Sequence, residues 1–186
     1  MKKLLFCACL LGTTVFVQAQ ETTFKRFKVD LAFGYAAPSG SGAKGGAIFS
    51  VEPKYAVTDN LAVGLRMEGA VTARATVDEY GNVVTGDAKA SGSYLLTGDY
   101  YFTTTKFRPF AGIGVGIFQS AAVDDINTAE EVQSGSSFGF TPRVGFELGH
   151  FRTAIEYNVA GKTGAYSNNY LGIKMGFFIG GGRLVD

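Results

Sequence analysis

Residues 138–159, FGFTPRVGFELGHFRTAIEYNV, contain the pattern that decides how the chain folds. On both sides of Gly149-His150, apolar residues alternate with glycine, polar or charged residues, and a period of two is typical of β-strands. A connection of about two residues joins antiparallel strands in a tight hairpin. The segment therefore predicts two paired strands, 138–148 and 151–159. Each has an apolar, aromatic face and a face that carries charges.

The same alternation recurs in six further segments of the chain. The predicted strands are approximately 27–36, 47–57, 61–75, 91–102, 107–118 and 169–180. Short turns at 58–60, 103–106 and 149–150 alternate with longer polar segments at 37–46, 76–90, 119–136 and 161–168. The sequence thus predicts an all-β fold of eight antiparallel strands in up-and-down order.

Within each predicted strand, charged residues lie an even number of positions apart, so they share one face. A soluble lipocalin-like barrel would point that face outward, whereas a transmembrane barrel would point it inward. Three features favour the transmembrane barrel. Short turns alternate with long loops, the charged face is rich in glycine, and aromatic residues of the apolar face lie near the short-turn ends. These aromatic residues are Phe27, Tyr55, Phe102, Phe151 and Phe177.

The predicted interior therefore holds eight basic and six acidic side chains. They are Lys28, Lys54, Arg66, Arg74, Arg108, Arg143, Arg152 and Lys174 with Asp30, Glu52, Glu68, Asp99, Glu147 and Glu156. A cation on the lipid face near mid-membrane would cost about 2–4 kcal/mol. An eight-stranded barrel encloses only enough space for side chains to fill. We expect a paired network that plugs the lumen; the alternative is a narrow passive channel for ions or small solutes.

The first twenty residues have the features of a secretory signal peptide. Lys2 and Lys3 precede the apolar run LLFCACLLGTTVFV, and Val17-Gln18-Ala19 resembles a cleavage site. We predict a signal peptide at 1–19 and a barrel domain at 20–186. Both cysteines lie in the segment to be removed. We favour cleavage over lipidation of either cysteine, because only a few apolar residues would precede the modified cysteine. Cleavage leaves fifteen basic against sixteen acidic residues, which gives no basic surface for nucleic acid.

Few residues suggest catalysis or metal binding. His150 is the only histidine and falls in a predicted turn, so we interpret it as a turn residue rather than a catalytic base. Asp124, Asp125, Glu130 and Glu131 could bind a divalent cation or simply form a solvated loop. The glycines of GIGVG alternate within a strand and do not form a nucleotide-binding fingerprint. We expect no enzymatic activity, no catalytic residue, no cofactor and no metal.

The chain resembles the small eight-stranded outer-membrane barrels of Gram-negative bacteria, namely the OmpA-type transmembrane domain and the OmpX-like, porin-like proteins. The most specific segments are FRPFAGIGVGIF in strand five and YLGIKMGF in strand eight. Tyr170, Gly172, Met175 and Phe177 look like the family's assembly signal. IGGGRLVD extends beyond the aromatic residue that usually ends it.

The resemblance implies a protein of the cell outer membrane with a structural, envelope-maintenance or surface-interaction role. Its implied partners are outer-membrane lipid including lipopolysaccharide, and the barrel-insertion machinery and periplasmic chaperones during assembly. It also allows an extracellular ligand of the loops, and a lipid-modifying barrel enzyme is a further alternative.

Overall fold

The computed structural model describes residues 23–39, 43–74, 76–77, 83–84, 88–123, 133–163 and 166–184. Over these ranges the long strands are β1 (Phe27–Pro38), β2 (Ala43–Ala56), β3 (Leu61–Arg74), β4 (Ala88–Tyr101), β5 (Phe107–Val123), β6 (Gln133–Leu148), β7 (Phe151–Asn158) and β8 (Tyr170–Gly180). Two short hairpins pair Thr76–Val77 with Val83–Val84 and Lys162–Thr163 with Tyr166–Ser167. The described ranges contain no helix of the length and apolarity that crossing a membrane requires.

The eight long strands form one closed antiparallel barrel. Each pairs with the next strand in the chain, and β1 pairs with β8 from Lys28↔Gly180 to Pro38↔Tyr170. The predicted hairpin is present, with Leu148 opposite Phe151 on either side of the turn. The up-and-down topology predicted from the alternation is confirmed.

Side chains are sorted as predicted, with charges inside and apolar groups outside. Thirteen of the fourteen predicted interior charges have described side chains, and each of these is at most 8% exposed. The side chain of the fourteenth, Arg74, lies outside the described part of the structure. The opposite face is apolar and exposed, for example at Leu96 (64%) and Phe177 (61%). This is the reverse of a water-soluble barrel and suits a hydrocarbon environment.

An aromatic girdle surrounds the barrel near the short turns, as predicted. Phe151 packs between Phe146 and Phe177, with ring centroids 6.5 and 5.6 Å away, and Phe107 lies 5.3 Å from Phe146. Eight residue steps separate Phe27 from the exposed Tyr35 near the other end of β1. At a rise of about 3.3 Å and a tilt of about 40°, they span roughly 20 Å of membrane.

Five of the eight long strands extend further toward the long loops than predicted. β5 and β6 remain paired as far as Ala122↔Gln133, so both arms of the predicted loop 119–136 are strand. Likewise, β2 begins at Ala43 and β4 at Ala88. The serine, alanine and glycine residues of these arms carry no apolar alternation. A hydrogen-bonded ladder outside the lipid does not require such a pattern, so the sequence did not reveal it.

Candidate functional site

The principal feature of the interior is a network of buried ion pairs that divides into two groups. The larger group lies toward the short turns. Its members are Lys28, Asp30, Glu52, Lys54, Asp99, Arg108, Arg143, Glu147 and Arg152. The smaller group lies nearer the long loops and consists of Arg66, Glu68, Glu156 and Lys174, which we call the quartet.

Asp99 is the centre of the larger group and is only 1% exposed. Its carboxylate accepts hydrogen bonds from Lys54 Nζ at 2.7 Å, Arg143 Nε at 2.7 Å and Arg152 Nη2 at 2.9 Å. Arg143 also binds Glu52 through two hydrogen bonds, at 2.9 and 2.7 Å. Such bidentate pairing fixes the orientation of both side chains and is stronger than a single neutral hydrogen bond.

Glu147 is a second centre, closer to the short turns. Its Oε1 atom accepts hydrogen bonds from the Tyr101 hydroxyl and Arg152 Nη1, both at 2.7 Å, and from Lys28 Nζ. The guanidinium of Arg152 also lies 3.8 Å from the centroid of the Phe110 ring, a cation–π contact. The network is therefore built into the aromatic packing of the lumen.

The quartet is electrically neutral. Arg66 Nη1 lies 2.8 Å from Glu156 and 3.8 Å from Glu68, while Lys174 Nζ contacts Glu156 and lies 2.5 Å from Glu68. Asn158 supports it by accepting a hydrogen bond from Arg66 at 2.8 Å. The hydroxyl of Tyr170 donates a hydrogen bond to Glu68 at 2.7 Å.

The arrangement compensates for burying so many ions. An isolated buried ion costs several kcal/mol in lost hydration, which must be recovered from close partners. Each of the six buried carboxylates of the network has at least two cationic groups within 4.0 Å. The charges therefore hold one another in place and tie together strands that are not adjacent in the sheet.

Interior glycines make the room that this packing needs, as expected from the sequence. A Cβ added at Gly112 would lie 2.1 Å from Asp99 Oδ1 and 3.2 Å from Arg143 Nε. At Gly98, on the lipid face, an added Cβ would meet no atom within 4 Å. The interior glycine is thus required sterically, whereas the outward one is not.

Apolar side chains fill the lumen around the two charged groups. One cluster contains Ala36, Ile48, Ala70 and Tyr170, a second Leu95, Phe118 and Ala160, and a third Ala62, Tyr101, Phe110 and Ala154. At the short-turn end, a cavity of about 20 Å³ lies beside Phe24, Tyr101 and Arg108. This volume accommodates about one water molecule.

The other candidate residues do not assemble into a site within the described structure. His150 lies in the turn after β6, as predicted, exposed and with its ring 5.1 Å from that of Phe178. It is at the end opposite the long loops. Asp124, Asp125, Glu130 and Glu131 lie outside the described residues. Among described residues, no three His, Cys, Asp or Glu side chains are grouped so that they could hold a metal ion.

Sequence reasoning assigned no partner to the neutral members of the network. Thr97 donates to Glu52 at 2.5 Å, and Thr141 donates to Asn158 at 2.8 Å. Strand parity does place both threonines on the charged face, because each is an even number of residues from a charged neighbour on its strand. Parity does not reveal which carboxylate or amide each hydroxyl would contact.

A closed eight-stranded sheet with a charged interior and an apolar exterior defines a small transmembrane β-barrel. The family model described as outer membrane protein beta-barrel domain matches residues 5–178, and the chain belongs to this family. It is a Gram-negative outer-membrane protein. The predicted signal peptide, 1–19, precedes the described residues and remains a prediction.

Two solved structures share the fold. Neisserial surface protein A is 15% identical, with 84% of this chain and 98% of that chain covered and a TM-score of 0.62. The outer membrane protein OprG from Pseudomonas aeruginosa is also 15% identical, with 87% and 96% covered and a TM-score of 0.52. No curated protein matches the chain.

Proposed function

We propose that the protein is a non-enzymatic outer-membrane barrel with a closed lumen, acting as a rigid scaffold that presents its long loops at the cell surface. The observation that carries this proposal is the filled interior, where thirteen described charges pair among layers of apolar side chains. Its role would be structural, in maintaining the envelope, or surface interaction through the loops, where function on a shared scaffold usually varies.

Opening a conducting path would require several ion pairs to separate together. Asp99 alone has three cationic partners within 2.9 Å, and Arg143 also binds Glu52. Removing one partner from a buried pair typically costs 3–5 kcal/mol. The closed arrangement therefore favours a plug over the alternative function, a narrow passive channel.

The proposed partners follow from the two surfaces of the barrel and from the family resemblance. The apolar face and its aromatic girdle suit outer-membrane lipid, including lipopolysaccharide. The pattern at Tyr170, Gly172, Met175 and Phe177 in β8 suits recognition by the barrel-insertion machinery, with periplasmic chaperones acting before insertion. An extracellular ligand of the loops would add to these partners.

Planar-bilayer recording of the refolded protein tests the closed lumen. Heat-modifiable gel mobility first verifies that the barrel is folded, and a general porin recorded in the same bilayers is the positive control. We expect no discrete conductance steps from the protein. Reproducible steps would contradict the proposal and support the channel.

Lipid analysis tests the absence of enzymatic activity. Lipid A and phospholipid species are compared between cells that express the protein, cells that express the His150→Ala variant and cells with an empty vector. We expect identical profiles. A new lipid species that depends on the protein would show a lipid-modifying enzyme, and its loss in the variant would implicate His150.

A further inference from the structure

The two ends of the described chain pair with each other across the short-turn mouth of the barrel. Phe24 and Arg183 form an antiparallel bridge. The amide of Lys25 donates to Gly182 O at 2.9 Å, and the amide of Leu184 donates to Thr23 O at 2.8 Å. We call the paired segments 23–26 and 181–184 the terminal strap.

Glycines turn the chain from β8 into the terminal strap. Gly180, Gly181 and Gly182 have φ angles of 77°, 60° and 75°. This left-handed region is strained for residues that carry a Cβ but open to glycine. The chain can therefore reverse immediately after Ile179, which gives residues 179–184, IGGGRL, a structural role.

Polar and stacking contacts attach the strap to the barrel wall. The Asp59 carboxylate accepts hydrogen bonds from the amide of Thr23 at 2.9 and 3.1 Å. The guanidinium of Arg108 lies 3.9 Å from the ring centroid of Phe24 and 4.0 Å from that of Tyr101. It also donates to the backbone oxygen of Asp59 at 2.6 Å. Arg108 thus joins the strap, the turn after β2 and the wall at β4.

The strap covers the outermost part of the charged network. Phe24 is only 5% exposed and lines the cavity of about 20 Å³ together with Lys28, Tyr101 and Arg108. Lys28 and Arg108, which both line this cavity, each contact Glu147 of the charged network. Bulk water at this point would screen those ion pairs and weaken them.

We propose that the terminal strap is a lid over the short-turn mouth, latched by Arg108 between Phe24 and Tyr101, which excludes bulk water from this end of the charged network. In barrels of this class the short turns face the periplasm. The lid therefore closes the lumen on the periplasmic side. This inference rests on the proposed closed lumen and deepens it, but the lumen could be closed without a lid.

Thiol accessibility tests the lid. With Cys7→Ser and Cys9→Ser the chain has no thiol, so Ala62→Cys adds a single reporter at a position that lines the cavity and is 3% exposed. The probe is a membrane-impermeant anionic methanethiosulfonate. A double variant, Phe24→Ala with Asp59→Ala, removes the stacked ring and the carboxylate that hold the strap, and should release it. The single variant Phe27→Ala is the matched control.

Phe27 is a suitable control because its ring is 60% exposed on the lipid face, three residues from Phe24. We expect the reporter to react at least about tenfold faster in the released variant than in the parent, since modification follows the population of the open state. The Phe27→Ala rate should equal the parent rate. Every variant is checked for heat-modifiable mobility. If the double variant does not fold, Asp59→Asn alone should give a several-fold increase.

Three results would overturn the lid: fast reaction in the parent, no acceleration on release of the strap, or equal acceleration in Phe27→Ala. A second reporter, Thr97→Cys, lies deeper in the lumen at a position that is 3% exposed. If this second reporter reacts slowly with the probe in both the parent and the released variant, the closed-lumen proposal stands even if the lid proposal is wrong. Fast reaction of this deeper reporter in the parent would instead contradict the closed lumen itself.

Discussion

Replacing Glu156 by glutamine should destabilise the barrel strongly, because it removes one charge from the neutral quartet. Glu156 is 1% exposed, accepts a hydrogen bond from Arg66 at 2.8 Å and contacts Lys174. Glutamine has almost the same shape, so packing is preserved. The remaining ions, two cations and Glu68, carry a net charge of +1 in a site closed to water.

The magnitude follows from the geometry. Two unit charges 2.8 Å apart at an effective dielectric constant of about 20 attract by about 6 kcal/mol. The glutamine oxygen keeps one hydrogen bond and recovers part of this. We therefore expect the free energy of unfolding to fall by about 3–5 kcal/mol, the usual cost of breaking a buried pair.

Urea unfolding of the refolded protein in phospholipid vesicles measures this change. With an m-value of about 2 kcal/mol/M, the midpoint should fall by roughly 2 M urea. Glu156→Gln with Lys174→Gln restores neutrality and should recover at least half of the loss. The reasoning would be refuted if the free energy of unfolding of Glu156→Gln lay within about 0.5 kcal/mol of the parent value. It would also be refuted if the double variant were less stable than both single variants.

Three further substitutions test the same sorting of side chains, each by urea unfolding. Gly112→Ala should cost about 1–3 kcal/mol because its Cβ would overlap a network carboxylate, whereas Gly98→Ala should change stability by less than about 0.5 kcal/mol. Equal effects would contradict the assigned faces. Tyr101→Phe should cost about 1–2 kcal/mol through the loss of a buried hydroxyl bonded to ions, and Tyr100→Phe, on the lipid face, close to nothing. Leu96→Arg should cost about 2–4 kcal/mol, and a neutral effect would place this position outside the hydrocarbon region.

The sequence predicts most of the fold because, along each strand of a membrane barrel, lipid-facing and interior residues alternate and differ in polarity. Even spacing places Arg66 with Glu68 and Arg143 with Glu147 on one face without knowledge of the tertiary structure. The cost of a charge in hydrocarbon then decides which face is inside. No comparable rule marks where strands end outside the lipid, so the paired arms near Val123 were predicted as loop.

The alternation of faces along each strand could not predict which charged side chains of the network form ion pairs with each other. Arg66 binds Glu156, ninety positions away, and Lys28 binds Glu147. These contacts cross the lumen and depend on the stagger of strands that are not neighbours. The terminal strap was missed for a related reason, since pairing of Phe24 with Arg183 requires the barrel to close first.

The sorting of side chains is tested most directly by single-tryptophan fluorescence, because the natural chain has no tryptophan. Leu96→Trp and Phe110→Trp place the probe on opposite faces, at positions that are 64% and 2% exposed. In vesicles, brominated lipid should quench Leu96→Trp strongly and Phe110→Trp weakly, and aqueous acrylamide should quench neither efficiently. Strong acrylamide quenching at position 96, with lipid quenching confined to position 110, would contradict an apolar exterior around a charged interior.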